Sequence, residues 1–318
     1  IHLQEPLTPS LTWWTLLLAH TWPHTVTVGT FHAHHELPNW LYSRGRPLFA
    51  KFFARLDALI SVAEAARQFA SAMFPGHYSV IPNGIDLARF GANCNLERHL
   101  TANPARTILF VGRLDWRKGF HRLLDSFIRL KPEYPHLRLV VVGPFEGKAC
   151  RPYQRLARRH GITDGLEFVG YVPPAHLPAI YQQADIFCAP SMGFESFGII
   201  LLEAMAAGLP LVASDIAGYR SVVTYGQDGW LVSPDSPTEL DNALRQLLNN
   251  SSLRYKMGQN GSRKAQQYSW EQIIDQILAL YQETIERKRM TMQPQPALTA
   301  GLGRNRYGQA VPQPLEEI

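Results

Sequence analysis

The sequence predicts an α/β protein in which helices cover both faces of parallel sheets. From Thr107 onward, short runs rich in Val, Ile and Leu alternate with stretches of helical periodicity. Apolar runs of this kind are typical of buried parallel strands, and their alternation with helices is typical of a doubly wound sheet. The predicted strands are TILFVG from 107, LRLVVVG at 137–143, LEFVG at 166–170, IFCAP at 186–190, LPLVASD at 209–215 and GWLV at 229–232. This half is therefore predicted to be one Rossmann-like unit.

The first half shows a weaker version of the same alternation. Strands are predicted at 1–5, 24–31, 58–62 and 78–82, with helices at 10–20 and 63–72. Periodicity is lost over 86–105, which marks a domain boundary. After the second unit, helices are predicted at 236–249, 251–267 and 270–289, and the Gln, Pro and Gly content beyond Met290 predicts a disordered tail. We divide the chain into a first domain at 1–95, a second at 96–268, a separate helix at 269–289 and a tail at 290–318.

Composition limits the class of protein without fixing its function. With 318 residues, 46% hydrophobic and 18% charged, the chain matches an ordinary two-domain globular protein. The net charge of +5 suits a phosphate-bearing substrate, an anionic membrane surface or nucleic acid. Cys94, Cys150 and Cys188 are far apart, so neither a disulfide framework nor a zinc site is expected. The apolar run from Leu11 to Ala19 is too short for a membrane span and lacks the basic flank of a signal peptide. We expect a cytoplasmic protein.

The stretch GFESFGIILLEAMAAGLP, at 193–210, carries the strongest chemical signal. It places Glu195 before a predicted helix and Glu203 about two turns inside it, with Ser196 as the predicted N-cap and Gly208 as the predicted stop. An ionised Glu203 in an apolar helix needs a partner, which is either a protein cation or a ligand. Free N–H groups at the helix start favour an anionic ligand. Two glutamates flanking a diphosphate would suit a nucleotide sugar.

Arg113 and Lys118 follow the strand that starts at Thr107, at the same predicted sheet edge as Glu195. A guanidinium and an ammonium would neutralise a diphosphate without a metal. Solvated surface cations are the alternative interpretation.

Three histidines follow the strand at 24–31, and they allow three interpretations. A metal site is disfavoured because no Asp or Cys of suitable spacing accompanies His32, His34 and His35. A polar loop without a special role is the common case. A ligand contact gains weight because ligands bind beyond the carboxyl ends of strands, where His32 stands. The next segment, 39–57, mixes aromatic and basic residues and is either core with a solvated edge or a lipid-interface element.

Several motifs together resemble a known enzyme family. GFESFGIILLEAMAAGLPLVASD is similar to the signature of two glutamates separated by seven residues in retaining glycosyltransferases of family four, which have the GT-B fold. The residues Gly112, Arg113, Lys118 and Gly119 match that family's G-R-x-x-x-x-K-G loop, and ADIFCAP at 184–190 matches the strand before the signature. HLQEPLTPSL, GTFHAH at 29–34 and IPNGID at 81–86 resemble phosphatidylinositol mannosyltransferases.

The resemblance implies a role for each matching residue. Arg113 and Lys118 would hold the donor diphosphate and stabilise the leaving group. Glu195 would contact the donor sugar, Glu203 would bind the ribose, and His32 would lie beside the transferred sugar. Further donor contacts are expected from Gly112, Ser196, Phe197, Gly198 and Ile199.

The resemblance also implies the reaction and the architecture. It predicts two Rossmann-like domains facing across a cleft, with the helix at 269–289 crossing back onto the first domain. It predicts metal-independent transfer with retention, no cofactor, and a hexose donor for which GDP-mannose is favoured over a UDP-sugar. The expected partners are a lipid-linked polyol such as phosphatidylinositol and an anionic membrane surface, not nucleic acid. Peripheral attachment at the inner membrane surface is the corresponding expectation for location.

One departure from the family pattern keeps alternatives open. Family members begin with a strand and a Gly-rich loop that reaches the donor phosphates, whereas nothing precedes Ile1, so we expect a truncated first domain. A non-catalytic nucleotide-sugar-binding remnant is one alternative. A soluble transferase that uses a UDP-sugar and a small-molecule or sugar acceptor is another, and a GT-B epimerase is a weaker third.

Overall fold

The computed structural model describes residues 1–8, 11–19, 21–33, 47, 49–92, 94–100, 105–292, 302–304 and 310–312. The described strands form two parallel sheets and one short antiparallel pair. Helices separate nearly all the consecutive strands of the parallel sheets. The predicted α/β class is therefore confirmed.

The first sheet contains four parallel strands that follow one another in chain order. These are β1 (His2–Gln4), β2 (Val28–Phe31), β3 (Ala58–Ser61) and β4 (Tyr78–Val80). The accompanying helices are α1 (Leu11–Ala19), α2 (described as helical at 47 and 49–53), α3 (Glu64–Met73) and α4 (Leu87–Gly91). Leu16, Phe31, Phe49 and Phe74 share a core cluster on one side of this sheet.

The second sheet contains six parallel strands in the order β10-β9-β8-β5-β6-β7. Their bounds are β5 (Thr107–Val111), β6 (Arg138–Val142), β7 (Leu166–Gly170), β8 (Ile186–Ala189), β9 (Leu211–Ser214) and β10 (Gly229–Val232). The chain builds outward from β5 in one direction and then returns to build outward from β8 in the other. The topological switch point therefore lies between β5 and β8, where open α/β sheets bind their ligands.

Helices cover both faces of the second sheet. They are α5 (Phe120–Leu130), α6 (Gly147–Arg159), α7 (Leu177–Gln183), α8 (Ile199–Ala206), α9 (Ala217–Arg220), α10 (Pro237–Asn249) and α11 (Ser251–Ala265). Alternate strand residues point to opposite faces, so Leu109 joins one core cluster and Ile108 joins the other. The first cluster also contains Val62 and Ala66 from the first half of the chain, which joins the two units.

The last long helix, α12 (Trp270–Met292), packs against the first sheet rather than the second. Ile273 shares a buried cluster with Val28 and Ile60. Near its far end, the Lys288 ammonium lies 2.9 Å from an Asp57 carboxylate oxygen. Apolar contact and an ion pair thus anchor both ends of α12 to the first unit.

Two predictions about the end of the chain need correction. The helix extends to Met292, beyond the predicted end at 289. Within the predicted disordered tail, β11 (Leu302–Arg304) and β12 (Ala310–Pro312) pair antiparallel, because alternating donors and acceptors on two short segments can satisfy each other. The rest of the tail lies outside the described residues. Across the part of the chain that is described, no helix has the length and apolarity needed to cross a membrane.

Candidate functional site

Two loops meet at the switch point of the second sheet. The loop after β5 carries Arg113 and Lys118, and the loop after β8 carries Glu195. Gly119 has φ = 69°, and a Cβ at this position would overlap the Pro190 carbonyl oxygen. The loops therefore approach so closely that only glycine fits between them. This contact brings the predicted cations and the first predicted glutamate to one edge.

Asp115 organises the cation-bearing loop. Its carboxylate accepts a hydrogen bond from the Lys118 backbone N–H at 3.2 Å, which caps a short 3-10 turn over Trp116–Lys118. It also pairs with the Arg113 guanidinium at 3.2 Å and with Arg117 at 3.4 Å. A single carboxylate thus orients the loop while the Arg113 side chain stays 56% exposed and accessible to a ligand.

Lys118 and Glu195 form a direct ion pair across the two loops. The ammonium nitrogen lies 2.5 Å from a Glu195 carboxylate oxygen, and the two side chains are only 20% and 18% exposed. The partial burial strengthens this attraction relative to a pair in bulk water. The ion pair therefore ties the two loops together at the switch point.

The start of α8 differs from the prediction. Ser196 is not the N-cap: the helix begins at Ile199, and Gly198 precedes it with φ = 96°. The Tyr219 ring packs so closely on Gly198 that a Cβ there would collide with it, so this position requires glycine. The left-handed conformation of Gly198 is not helical, and the helix therefore starts after it. The side chain of Phe197 is buried and contacts the Tyr268 ring, so only the backbone of this residue can face a ligand.

The end of α8 confirms the predicted stop. Gly208 has φ = 72°, its N–H donates to the Met205 carbonyl at 2.9 Å, and the Leu209 N–H donates to the Ala204 carbonyl at 2.9 Å. These two bonds form a Schellman motif, which satisfies the last carbonyl groups of the helix. Both ends of α8 are therefore fixed by left-handed glycines.

The Glu203 carboxylate has a protein partner that the sequence did not predict, and the expected ligand contact stays a prediction. Glu203 lies five residues into α8, little more than one turn, which corrects the predicted two turns. The Tyr181 hydroxyl donates to its carboxylate at 2.7 Å. Burial raises the pKa of Glu203, while this hydrogen bond and the Arg89 charge oppose the rise. The helix is also more open than expected, since Ile199 is 44% exposed.

His32 stands at the carboxyl end of β2, on the other sheet. Its backbone N–H donates to a Glu5 carboxylate oxygen at 2.6 Å, and its ring Nε2 lies 2.5 Å from the Gln4 amide oxygen. Burial lowers the pKa of His32, and the Glu5 charge opposes this shift. The hydrogen bonds described for His32 thus fix it within the first unit. His34 and His35 lie outside the described residues, as does much of 39–57.

Sequence patterns did not reveal Tyr181, Tyr219 or Asp115. Tyr181 contacts Glu203 from 22 positions away, and the Tyr219 hydroxyl lies 2.8 Å from the Ser191 hydroxyl beneath the second loop. Only Asp115 had a local signal, because an Asp three residues before Lys118 is a common capping pattern. Where side chains are described, no group of three or more His, Cys, Asp or Glu residues could hold a metal ion.

Two glycosyltransferase family models match this chain. Residues 95–264 match the family described as glycosyl transferases group 1, and residues 1–89 match glycosyltransferase family 4. The chain belongs to the group 1 glycosyltransferases. This membership confirms the resemblance drawn from the glutamate signature, and it identifies the protein as an enzyme.

Curated relatives and solved structures agree with the family. A phosphatidyl-myo-inositol mannosyltransferase of Mycobacterium leprae is 31% identical over 89% of this glycosyltransferase and 72% of the relative. A D-inositol 3-phosphate glycosyltransferase of Corynebacterium urealyticum is 36% identical over 64% of this chain and half of the relative. The sucrose-phosphate synthase structure from Thermosynechococcus elongatus matches with a TM-score of 0.73 at 23% identity, covering 90% of this chain and 74% of the other. The predicted GT-B fold is therefore confirmed.

Proposed function

We propose that this glycosyltransferase moves mannose from GDP-mannose to an inositol lipid with retention of anomeric configuration. The observation that carries the proposal is the Lys118–Glu195 ion pair at the switch point, 2.5 Å across two loops that glycine contacts hold together. The names of the relatives support the acceptor, because both the mannosyltransferase and the D-inositol 3-phosphate glycosyltransferase are named for an inositol compound.

The donor would lie along the carboxyl edge of the second sheet. Lys118 and Arg113 would contact the diphosphate, and the start of α8 would add the backbone N–H groups of Phe197, Gly198 and Ile199 together with the positive end of its dipole. Gly112 and Ser196 would line the same path. Glu203, held by Tyr181, would accept hydrogen bonds from the ribose hydroxyls.

The chemical step would break the bond between the sugar C1 and the diphosphate oxygen and form a bond from C1 to the acceptor hydroxyl oxygen. On the same face of the sugar, the departing phosphate oxygen would take the acceptor proton, so that no charge or proton is left over. Lys118 and Arg113 would stabilise the negative charge that develops on the leaving group, which makes a divalent metal unnecessary. Glu195 would position the sugar hydroxyls and hold the Lys118 ammonium in place.

The acceptor would enter from the first unit. His32 would lie beside the transferred sugar, where its orientation is fixed by Glu5 and Gln4. A lipid acceptor would require the enzyme to work at an anionic membrane surface, with peripheral attachment at the inner face of the cytoplasmic membrane. Part of the aromatic and basic segment at 39–57 packs in the core, since Phe49 and Phe52 are buried.

A donor and acceptor matrix tests this function. The full chain would be assayed with GDP-mannose, GDP-glucose and UDP-glucose, each with phosphatidylinositol, inositol 3-phosphate or no acceptor. Transfer of mannose from GDP-mannose to phosphatidylinositol is expected to dominate. A preference for UDP-glucose with a small acceptor would support the soluble alternative instead. GDP binding without transfer to any acceptor would favour the non-catalytic alternative.

A further inference from the structure

Helix α6 presents a cationic face that the proposed transfer does not use. At 3.6 residues per turn, five exposed cations fall within an arc of about 100° and extend over roughly 16 Å. We define this set as the α6 basic face: Lys148, Arg151, Arg155, Arg158 and Arg159. The opposite side of the helix is core, since Cys150 and Ala157 are buried and the Tyr153 ring packs on Phe120 with centroids 4.9 Å apart. Core packing therefore fixes the direction in which the cations point.

The cations of this face have no acidic partners in the part of the chain that the structure describes. Other surface cations of the same unit are paired: Arg138 lies 2.8 Å from Glu167, and Arg245 lies 2.7 Å from Glu133. Helix α6 contains no acidic residue, and its arginines at 151, 155 and 159 repeat at the spacing where like charges destabilise a helix. The arrangement is unfavourable by itself, and an external anionic surface would relieve it.

The position of α6 relates the basic face to the candidate site. The helix begins shortly after the carboxyl end of β6, the sheet edge that also carries Lys118, so Lys148 stands at the donor side. Near the other end, a cavity of about 350 Å³ opens beside Arg158 and is also lined by Gln154 and Thr163. The other half of its lining is apolar, with Ala157, Leu166 and Phe168, so Arg158 is the lining residue that offers a positive charge to a phosphate-bearing headgroup.

We propose that the α6 basic face docks on an anionic phospholipid surface. The choice of lipid rests on the proposed function, since an enzyme with a lipid acceptor works at a bilayer. Single-stranded nucleic acid is the less suitable anion, because its binding sites stack bases on exposed aromatic rings, whereas the aromatic of α6, Tyr153, packs against Phe120. Each cation near an anionic membrane surface raises the partition coefficient of the protein onto that membrane about fivefold.

Vesicle co-sedimentation tests the docking surface. The full chain would be mixed with vesicles of equal parts phosphatidylcholine and phosphatidylglycerol, or of phosphatidylcholine alone, at low and high salt. The variant Arg155→Gln/Arg159→Gln removes two charges from the face. The matched control, Lys256→Gln/Arg263→Gln, removes two exposed charges from one face of α11. Circular dichroism would check that both variants fold.

The expected result is binding to the anionic vesicles alone, weakened by salt because exposed charges are screened. The α6 variant should bind roughly 25-fold more weakly, as two cations are lost, and the control should bind like the parent protein. Equal loss in both variants, no loss in the α6 variant, or an α6-dependent affinity for RNA above that for vesicles would overturn the proposal.

A second assay separates this proposal from the function on which it rests. Transfer to detergent-dispersed phosphatidylinositol requires no bilayer, so the α6 variant should retain the parent's turnover there. Absence of transfer by the parent protein in detergent would count against the proposed function and leave the vesicle result intact. Normal transfer together with vesicle binding that does not depend on α6 would count against the docking surface alone.

Discussion

Replacing Lys118 with Met should separate catalysis from stability. The change keeps the apolar stem and removes the ammonium that lies 2.5 Å from Glu195. If this charge stabilises the departing diphosphate, its loss should lower kcat by about 100-fold to 1000-fold, the range found when one preorganised donor is removed from an active site. The pair is neither fully exposed nor fully buried, so we expect a stability loss of about 1 to 2 kcal/mol, between those two limits.

The chain offers a matched control in Lys264, whose ammonium lies 3.1 Å from Asp228 and whose side chain is 21% exposed, against 20% for Lys118. Asp228 immediately precedes β10, so this pair lies at the amino ends of the strands, whereas Lys118 and Glu195 lie at their carboxyl ends. Lys264→Met should cost at least as much stability and leave kcat unchanged. Initial rates at saturating donor, with thermal unfolding followed by circular dichroism, measure both quantities. Retention of kcat within about threefold in Lys118→Met would refute the charge-stabilisation reasoning, as would an equal loss of kcat in both variants.

Four other substitutions test separate parts of the structure. Glu203→Gln should weaken GDP binding about tenfold or more, since a hydrogen bond to a charged group contributes about 1.5 to 3 kcal/mol. Tyr181→Phe should weaken GDP binding less. If titration calorimetry gives Glu203→Gln the same GDP affinity as the parent protein, Glu203 does not bind the ribose. Because burial raises the pKa of Glu203, GDP affinity should also fall as pH drops through that raised value, and Glu203→Gln should abolish this dependence. Gly119→Ala should lower the free energy of unfolding by more than about 2 kcal/mol, because φ is positive and the added Cβ meets the Pro190 carbonyl. An unchanged midpoint in urea unfolding would contradict this close contact. Burial lowers the pKa of His99 from 6.5 to about 4. The unfolded chain therefore binds this proton more readily than the folded protein, so about 3 kcal/mol of stability that is present above pH 6.5 is lost as pH falls toward 4. Urea unfolding across this range should show the free energy of unfolding falling with pH in the parent protein, and falling less in His99→Gln.

Local sequence chemistry predicted most of the second unit. Buried parallel strands read as continuous Val, Ile and Leu runs, and β10 matches its prediction residue for residue. Gly208 was predicted as a stop because a left-handed residue after a helix favours glycine, and the Schellman bonds bear this out. Both features depend on residues adjacent in the chain.

The remaining features depend on contacts between distant residues. The start of α8 was misplaced at Ser196 because the decisive constraint is the Tyr219 ring packed against Gly198, which no local pattern encodes. The partner of Glu203 was missed for the same reason, since Tyr181 reaches it from the neighbouring helix. The edge that gathers Arg113, Lys118 and Glu195 was predictable, however, because the carboxyl ends of parallel strands share one edge.

The anomeric configuration of the lipid product tests the central claim most directly. GDP-mannose and phosphatidylinositol would be incubated with the full chain in the presence of EDTA, and the purified product would be analysed by the NMR coupling of its mannose C1. We predict an inositol lipid that carries mannose with the same α configuration as the donor, formed at a rate that EDTA does not reduce. A β-linked product, or transfer that stops when EDTA is added, would contradict metal-independent retention.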